Sequence, residues 1–151
     1  MGNQNGSFRD VHANVLRQHA ELRARLRGLD GGGTFASSPA AAAYQRISLL
    51  RLAVLFETHL LFEEVALAPL LRDLDAWGPQ REALMLAEHA EQRSRIQHAC
   101  VLAEESQGGL ELAQCVSALV VSMLEDMARE EHDLAELEPL EDHPISDQVA
   151  G

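Results

Sequence analysis

Apolar residues recur at helical period in four long segments of this chain, and short runs rich in glycine and proline separate the segments. The segments span residues 8–29, 40–76, 80–105 and 110–137. Each one carries an apolar stripe along one side, which is typical of an amphipathic helix that buries that side. Four such helices with mostly short connections predict an all-α fold, an up-down-up-down four-helix bundle.

The same pattern predicts a single domain. The chain has 151 residues, which is one domain's length. We expect residues 8–140 to form the bundle. Residues 1–7 and 141–151 are predicted to be short polar tails, because the apolar periodicity does not extend into them.

The charge balance argues against two classes of partner. The sequence has 12 basic and 24 acidic residues, a formal net charge of −12. Nucleic acids and anionic membranes both require a positive face, so we expect neither as a partner. No apolar run approaches the roughly 18 residues of a membrane span, and the first ten residues lack a signal-peptide pattern. These features predict a cytoplasmic protein.

The chain has two cysteines, Cys100 and Cys115, which is too few for a disulfide framework. They lie at similar distances on either side of the glycine pair between the third and fourth segments. A regulatory disulfide is one interpretation of this placement. Buried, unreactive thiols are the interpretation we favour.

Ionisable residues within the apolar stripes are the most informative feature for function. A buried carboxylate or imidazole costs several kcal/mol unless a counter-ion, a hydrogen-bond network or a metal compensates it. Six such groups are predicted to face the bundle interior. They are His19, His59, Glu63, His89, His132 and Glu136.

The six residues form a repeated pattern. The second segment carries a His-x-x-x-Glu motif at His59 and Glu63, and the fourth segment carries the same motif at His132 and Glu136. A four-residue step places both side chains on one face of a helix, about one turn apart. The first and third segments each add one inward histidine. We therefore expect four imidazoles and two carboxylates to meet between the helices.

This donor set suits a pair of transition-metal ions. Imidazole favours iron, zinc or copper, and carboxylates add the oxygen ligands that iron and manganese accept. Each ion would take two histidines, while Glu63 and Glu136 bridge the two ions. Each ion would keep open positions for water or a small molecule, which distinguishes a reactive site from a structural one.

The order of these residues resembles the haemerythrin family, also called HHE cation-binding domains, over about residues 10–140. The segments that carry the resemblance are Gln18-His-Ala-Glu-Leu-Arg23, His59-Leu-Leu-Phe-Glu-Glu64 and Glu130-Glu-His-Asp-Leu-Ala-Glu136. The resemblance implies a four-helix bundle with a non-haem di-iron centre. Two iron ions, bridged by glutamate and by oxo or hydroxo, are the cofactor it implies, and mixed Fe–Zn or Fe–Mn pairs fit the same ligand types.

The chain departs from the oxygen-carrying haemerythrins in two places. Arg93 stands where those proteins have a second histidine on the third helix, and the fourth helix has His-x-x-x-Glu where they have His-x-x-x-x-Asp. The resulting set of four histidines and two glutamates is similar to the HHE subgroup linked to iron repair and to sensing of nitric oxide and iron. Simple reversible carriage of dioxygen is therefore not what we expect.

Three functions are compatible with this pattern. The first is a di-iron protein that binds or senses dioxygen, nitric oxide, peroxide or iron. The second is a di-iron oxidoreductase at the same site, which reduces peroxide or nitric oxide or oxidises a small substrate. The third is a metal-free interaction bundle, such as a phosphotransfer module. Whether the protein is an enzyme is left open by the sequence.

Charged residues near the predicted ligands have two interpretations each. Arg93 and Glu125 either orient ligands or form interhelical salt bridges, and we favour salt bridges. Glu64, Glu88 and Glu131 each adjoin a predicted ligand and either accept its partner's N–H group or belong to a solvated acidic face, which we favour.

A second apolar stripe on the fourth segment predicts a partner. It lies opposite His132, and a helix that is apolar on both sides is usually covered on both. We expect a homodimer, or another protein, to dock there. The stripe consists of Leu112, Val116, Leu119, Met123, Met127 and Leu134.

Overall fold

The computed structural model describes residues 6–30, 39–105 and 110–142, and helices account for nearly all of them. The α-helices are α1 (Phe8–Asp30), α2 (Pro39–Phe62), α3 (Ala68–Leu74), α4 (Gly78–Glu105) and α5 (Leu110–Leu137). A π-helical turn, Glu63–Leu67, joins α2 to α3, and a 3-10 turn, Glu138–Glu141, follows α5. Among the described helices, none is both long and apolar enough to cross a membrane.

The helices pack as a four-helix bundle, which confirms the predicted all-α architecture. α1 contacts α2 and α5, while α4 contacts α2, α3 and α5. The π-helical turn keeps α2 and α3 in one continuous rod, because its flanking residues retain helical backbone angles. Two of the predicted breaks, at 31–38 and 106–109, lie outside the described residues, as do 1–5 and 143–151. The division into one domain and two tails stays a prediction.

The end of α5 closes over the start of α1. Phe8 and Arg9 donate their backbone N–H groups to the two carboxylate oxygens of Glu141, at 3.0 and 3.2 Å. Ser7 caps the same helix through a reciprocal pair of hydrogen bonds with Asp10. A carboxylate at a helix N-terminus is stabilising, because the first N–H groups have no partner within the helix. These contacts fix α1 and α5 as antiparallel neighbours.

A tight joint connects α3 to α4. The Asp75 carboxylate accepts hydrogen bonds from the backbone N–H of Trp77, at 2.9 Å, and from Arg81, at 2.5 Å. Gly78 begins α4 so close to the preceding helix that a Cβ there would lie 2.0 Å from the carbonyl oxygen of Arg72. Only glycine fits at that position without moving the backbone.

The core consists of two apolar clusters, with the predicted polar residues in the layer between them. On α1, for example, Val15 belongs to one cluster and Leu22 to the other, and His19 lies between them. The other three rods show the same order, with Glu63, His89 and Glu130 between members of the two clusters. The polar layer is therefore shielded from solvent above and below.

The structure corrects the predicted orientation of α5. The face predicted to point inward is on the outside, where Val121 is 53 % exposed and Ala128 and Ala135 are exposed. The face predicted to dock a partner lies inside the bundle. Its members, all buried, are Leu112, Val116, Leu119, Met123, Met127 and Leu134.

The physical reason is the larger apolar area on the buried face. Leucine and methionine side chains contribute more burial free energy than the alanines around His132, at about 25 cal/mol per Å². The prediction aligned α5 by its His-x-x-x-Glu motif and so gave the weaker face priority.

The prediction that a partner docks on this face is therefore wrong, because the bundle itself covers the face. Whether the chain forms a homodimer stays untested. The large apolar side chains that do remain exposed are most numerous on α2. They recur at helical spacing along one of its sides and include Ile47, Leu50, Val54 and Leu61, and Val65 of the π-helical turn continues the row.

Substitutions on the two faces of α5 test this orientation. Met123→Ala should lower the free energy of unfolding by about 2–4 kcal/mol, because it removes buried side-chain atoms and leaves a cavity. Val121→Ala, two residues earlier and exposed, should change it by less than about 0.5 kcal/mol. Urea unfolding of both variants measures the difference. A larger cost at Val121 than at Met123 would contradict the structure.

Candidate metal centre

Four of the six predicted site residues face the bundle interior, as expected. His19, His59, Glu63 and His89 are between 0 % and 4 % exposed. They come from α1, α2, the π-helical turn and α4, and they meet in the polar layer between the two apolar clusters. The prediction that these four side chains are buried together is confirmed. Their role as metal ligands stays a prediction at this point.

The other two predicted residues do not reach the centre. The side chains of His132 and Glu136 are 70 % and 68 % exposed, and they pair with each other on the outer face of α5, with 3.2 Å between His132 Nε2 and Glu136 Oε1. The prediction that they face inward is wrong, for the reason already given for α5. Asp133 lies beside them in an exposed acidic group.

Glu130 is the residue that α5 brings to the centre. It can offer one ligand atom that lies, with atoms of His19, His59 and Glu63, in a group whose members are all within 4.8 Å of one another. The sequence carried a signal for it that the prediction missed. The segment Asp126-Met-Ala-Arg-Glu130-Glu131 repeats the spacing of His59-Leu-Leu-Phe-Glu63-Glu64, with aspartate in place of histidine.

The polar atoms at the centre lie close together, but not all of them are hydrogen-bonded. His59 Nε2 is 2.7 Å from Glu63 Oε1, and His89 Nε2 is 2.9 Å from Glu63 Oε2. His19 Nε2 is 3.0 Å from Glu130 Oε1 and 3.9 Å from Glu63 Oε1. Yet His19 Nε2 and Glu63 Oε1 have no hydrogen bond of acceptable geometry. Buried polar atoms rarely lack a hydrogen-bond partner, and each such atom calls for an explanation.

The opposite nitrogen of each imidazole is hydrogen-bonded to an acceptor. His19 Nδ1 donates to Glu131 at 3.1 Å, and His89 Nδ1 donates to Glu64 at 3.0 Å. His59 Nδ1 donates to the side-chain amide oxygen of Gln18 at 2.6 Å. Carboxylate and amide oxygens accept but do not donate, so Nδ1 carries the proton in all three rings. In the neutral rings, Nε2 then presents a lone pair to the centre.

Two arginines hold the outer carboxylates in place. Arg23 donates two hydrogen bonds to Glu131, at 2.6 and 2.7 Å, and Arg93 donates to Glu64 at 2.7 Å. Their cationic hydrogen bonds are the main reason that the pKa values of Glu131 and Glu64 lie below their ordinary value. Both carboxylates therefore stay ionised and keep accepting from histidine.

This outcome combines the two interpretations of these charged residues. Arg93 forms an interhelical salt bridge, as favoured, and it also orients a histidine through Glu64. Glu64 and Glu131 are not simply part of a solvated face, so that preference is wrong for them. Glu88 and Glu125 are exposed.

Proline explains the π-helical turn that carries Glu63. Pro69 has no N–H group, so the carbonyl of Val65 receives no ordinary helical hydrogen bond. The residue just before Pro69, Ala68, donates its backbone N–H to the carbonyl of Glu63, five residues back. Such wide turns are frequent at functional sites. Here the turn begins at Glu63, the residue whose two oxygens face different histidines.

Glu63 carries a negative charge in the apolar interior. Burial alone would raise its pKa, but the adjacent imidazoles of His59 and His89 outweigh burial and hold that pKa well below its ordinary value. Burial likewise acts to lower the pKa of His89, and Glu63 and Glu64 raise it overall. The charge of Glu63 and the proton of His89 thus stabilise one another.

The environment of Glu130 has the opposite effect. Its side chain is 24 % exposed, but burial of the carboxylate and the nearby charge of Glu63 raise the pKa of Glu130 to about 8. Burial acts to lower the pKa of His19, yet the adjacent carboxylates of Glu130 and Glu131 raise it overall. Without a further cation, the centre therefore retains extra protons at neutral pH.

Two cavities adjoin the centre. A void of about 10 Å³ lies among the polar residues, lined by His19, His59, Glu63, Gln92, Asp126 and Glu130 together with apolar neighbours. A void of this volume is about the smallest that can hold one water molecule. A larger cavity of about 170 Å³ opens between α3, α4 and α5, and its lining includes Leu67, Met85, Leu134 and Glu130. Glu130 is the residue that the two cavities share.

The remaining predicted polar residues lie away from the centre. His12 is buried near the bundle end, with its Nδ1 3.2 Å from Glu138. Cys100 and Cys115 are half-buried free thiols, which agrees with the favoured interpretation. Burial raises the pKa of both thiols, so the reactive thiolate is disfavoured.

Comparisons with protein-family models, with curated proteins and with solved structures found no match for this chain. The haemerythrin-like resemblance therefore rests on the residues of this chain alone.

The pKa shifts predict how the stability of the metal-free protein depends on pH. The unfolded chain loses the Glu130 proton near pH 4.5, while the folded chain keeps it to about pH 8. The folded state likewise keeps the His19 proton above the ordinary value of 6.5. The unfolded state thus binds fewer protons in this range, so stability should fall as pH rises, by up to about 1.4 kcal/mol per pH unit for each proton.

Urea unfolding of chelator-treated protein between about pH 5 and about pH 8 measures this slope. Glu130→Gln should flatten it, because the neutral amide removes the carboxyl group whose proton the folded state retains. Glu125→Gln, on the outer face of the same helix, should leave the slope of the parent protein unchanged. Stability that rises with pH over this range would show that these groups are not held as described.

Proposed function

We propose that this chain is a haemerythrin-like protein that holds a pair of non-haem iron ions in its polar layer and there binds or senses a small molecule. The small molecule is dioxygen, nitric oxide or peroxide; alternatively, the protein senses iron itself. The observation that carries the proposal is the convergence of three buried imidazole Nε2 atoms on the carboxylate of Glu63. His19, His59, His89, Glu63 and Glu130 are the ligands we assign.

The spacing of the donor atoms fits a bound ion. Two ligand atoms bound at about 2.1 Å and at right angles to each other lie about 3.0 Å apart. The pairs at the centre are 2.7, 2.9 and 3.0 Å apart. An ion between them would also satisfy His19 Nε2 and Glu63 Oε1, the two buried atoms that have no acceptable hydrogen bond.

Each group around the centre has a separate task in this proposal. The Arg23–Glu131 and Arg93–Glu64 pairs hold two imidazoles with Nε2 pointing inward, which is how carboxylates commonly orient histidine ligands. The two apolar clusters exclude bulk water from above and below. Bound iron would supply redox chemistry and open positions for the small molecule.

A di-iron oxidoreductase is the second candidate, and the larger cavity is the observation that favours it. Its volume of about 170 Å³ is several times the share of one water molecule, about 30 Å³. It reaches Glu130, and its lining combines apolar side chains such as Leu67, Met85 and Leu134 with the charged side chains of Arg81, Glu88, Arg129 and Asp133. A small organic substrate fits that description better than a diatomic molecule does.

A metal-free interaction bundle explains less of the molecule. His132 is exposed, so it has the accessibility that a phosphotransfer histidine needs. Such a role leaves three buried imidazoles and two carboxylates without a function, although placing them in an apolar core costs several kcal/mol.

Metal analysis of protein expressed with ample iron tests the proposal. We expect about two iron ions per chain, together with near-ultraviolet absorption typical of a di-iron centre. His59→Ala and Glu130→Ala should each lose most of the iron, because each removes a buried ligand. His132→Ala and Glu136→Ala are the matched controls, and both should keep it, because their side chains face solvent.

Two results would contradict the proposal. One is the absence of bound metal in the parent protein after iron-replete expression. The other is loss of iron from the His132→Ala and Glu136→Ala variants while the His59→Ala and Glu130→Ala variants remain loaded. Peroxide and nitric oxide turnover by the loaded protein then separates the two di-iron functions.

The outer carboxylates give a graded prediction. Glu131→Gln should weaken iron binding by about 10- to 100-fold, because the amide holds the His19 Nδ1 proton less firmly and loses its pairing with Arg23. Glu125→Gln, exposed on α5, should leave iron binding unchanged. Competition with a chelator of known affinity measures both variants. Equal affinities would mean that Glu131 does not orient a ligand.

A further inference from the structure

The two oxygens of Glu63 face different sides of the centre. Oε1 is 2.7 Å from His59 Nε2, whereas Oε2 is 2.9 Å from His89 Nε2. A carboxylate whose two oxygens have separate imidazole partners can contribute a ligand atom to each of two metal positions. We call the side with His19 and His59 the first half of the centre, and the side with His89 the second half.

The contacts around the two halves repeat. His19 and Arg23 on α1 both bond Glu131 of α5, and His89 and Arg93 on α4 both bond Glu64 of the α2 rod. In each case a histidine and the arginine four residues later share one outer carboxylate. The bundle therefore supports two similar half-sites, related by exchange of α1 with α4 and of α2 with α5.

The repeat fails at one inner position. Where the α2 rod has His59, four residues before Glu63, α5 has Asp126, four residues before Glu130. Both residues contact a glutamine from a neighbouring helix. His59 Nδ1 donates to Gln18 at 2.6 Å, and Asp126 accepts from Gln92 at 3.2 Å. Asp126 also lines the small void at the centre.

An aspartate at this position cannot supply the inward-pointing donor atom that a histidine supplies. Its side chain ends about where Nδ1 of a histidine would be, so no atom takes the place of the inward-pointing Nε2. Asp126 is also paired with Arg129 and, at 3.4 Å, with Arg95, both on the solvent side. The first half thus has two imidazoles and the second half has one.

We propose that the centre has two unequal metal positions, a tight one between His19 and His59 and a weaker one beside His89, where Asp126 stands in place of a second imidazole. The proposal rests on the metal-binding function proposed above. Imidazole binds first-row ions such as iron and zinc well, whereas carboxylate and water suit harder ions such as manganese. The weaker position should accordingly accept manganese more readily than the tight one.

Stepwise removal of metal tests the inequality. Protein loaded anaerobically with Fe(II) is exposed to increasing chelator, and the metal content per chain is measured after gel filtration. We expect two steps, one ion leaving at a chelator concentration at least about tenfold lower than the other. Excess Mn(II) added after the first step should restore one ion, giving one iron and one manganese per chain.

Two reciprocal variants assign the steps to residues. Asp126→His should bring the two steps together, because it supplies the missing imidazole. His59→Asp should turn the tight step into a weak one. Glu125→His adds a histidine to the adjacent, exposed position of α5 and should leave both steps as in the parent protein. Helix content by circular dichroism confirms that each variant is folded.

The outcomes separate this inference from the proposed function. Two ions lost together from the parent protein would overturn the inequality and leave the metal-binding function standing. A single ion in both the parent protein and Asp126→His would show that the second half is not a metal position. No metal in either protein would overturn the proposed function itself.

Discussion

The negative charge of Glu63, held between two apolar clusters, is the constraint on which the rest of the polar layer depends. A lone carboxylate in such a place would take up a proton, because losing its water costs far more than folding can supply. Imidazoles on both sides of Glu63 hold its pKa low instead. Glu130 adds a second carboxylate within the same group of atoms, and the two charges cannot both be accommodated without cations nearby. The structure thus gathers side chains that could hold a metal ion, whose charge would offset those of the carboxylates.

The contacts around the centre fix the orientation of two of its histidine side chains. Because Arg23 and Arg93 keep Glu131 and Glu64 ionised, those carboxylates accept the Nδ1 protons of His19 and His89. Contacts within the protein thus already point Nε2 of these rings toward the centre, so little reorganisation of them would be needed on binding. The α1–α5 and α2–α4 contacts that form the bundle are the same contacts that place each arginine beside its glutamate. Fold stability and ligand orientation therefore share their interactions.

Local periodicity was sufficient to predict most of the fold. The four helical segments and the inward faces of α1, α2 and α4 agree with the structure, because each has one apolar face that also contains the polar residues. α5 has two apolar faces, and the choice between them depends on burial across the whole bundle. Glu130 escaped prediction for the same reason, and also because Asp126 interrupts the His-x-x-x-Glu pattern. The partnership of Glu131 with Arg23 joins distant segments and cannot be derived from spacing along one helix.

The arrangement separates what the fold must keep from what the site can vary. The outer pairs join helices, so replacing one of their members disturbs both packing and ligand orientation. The inner positions, His59 and Asp126, contact a glutamine and the central void, and neither supplies one of the outer pairs. A histidine or an aspartate can occupy such a position while the same bundle is maintained. The chemistry of the centre therefore depends on which residue stands at each inner position, whereas the Arg23–Glu131 and Arg93–Glu64 pairs that orient His19 and His89 do not include these residues.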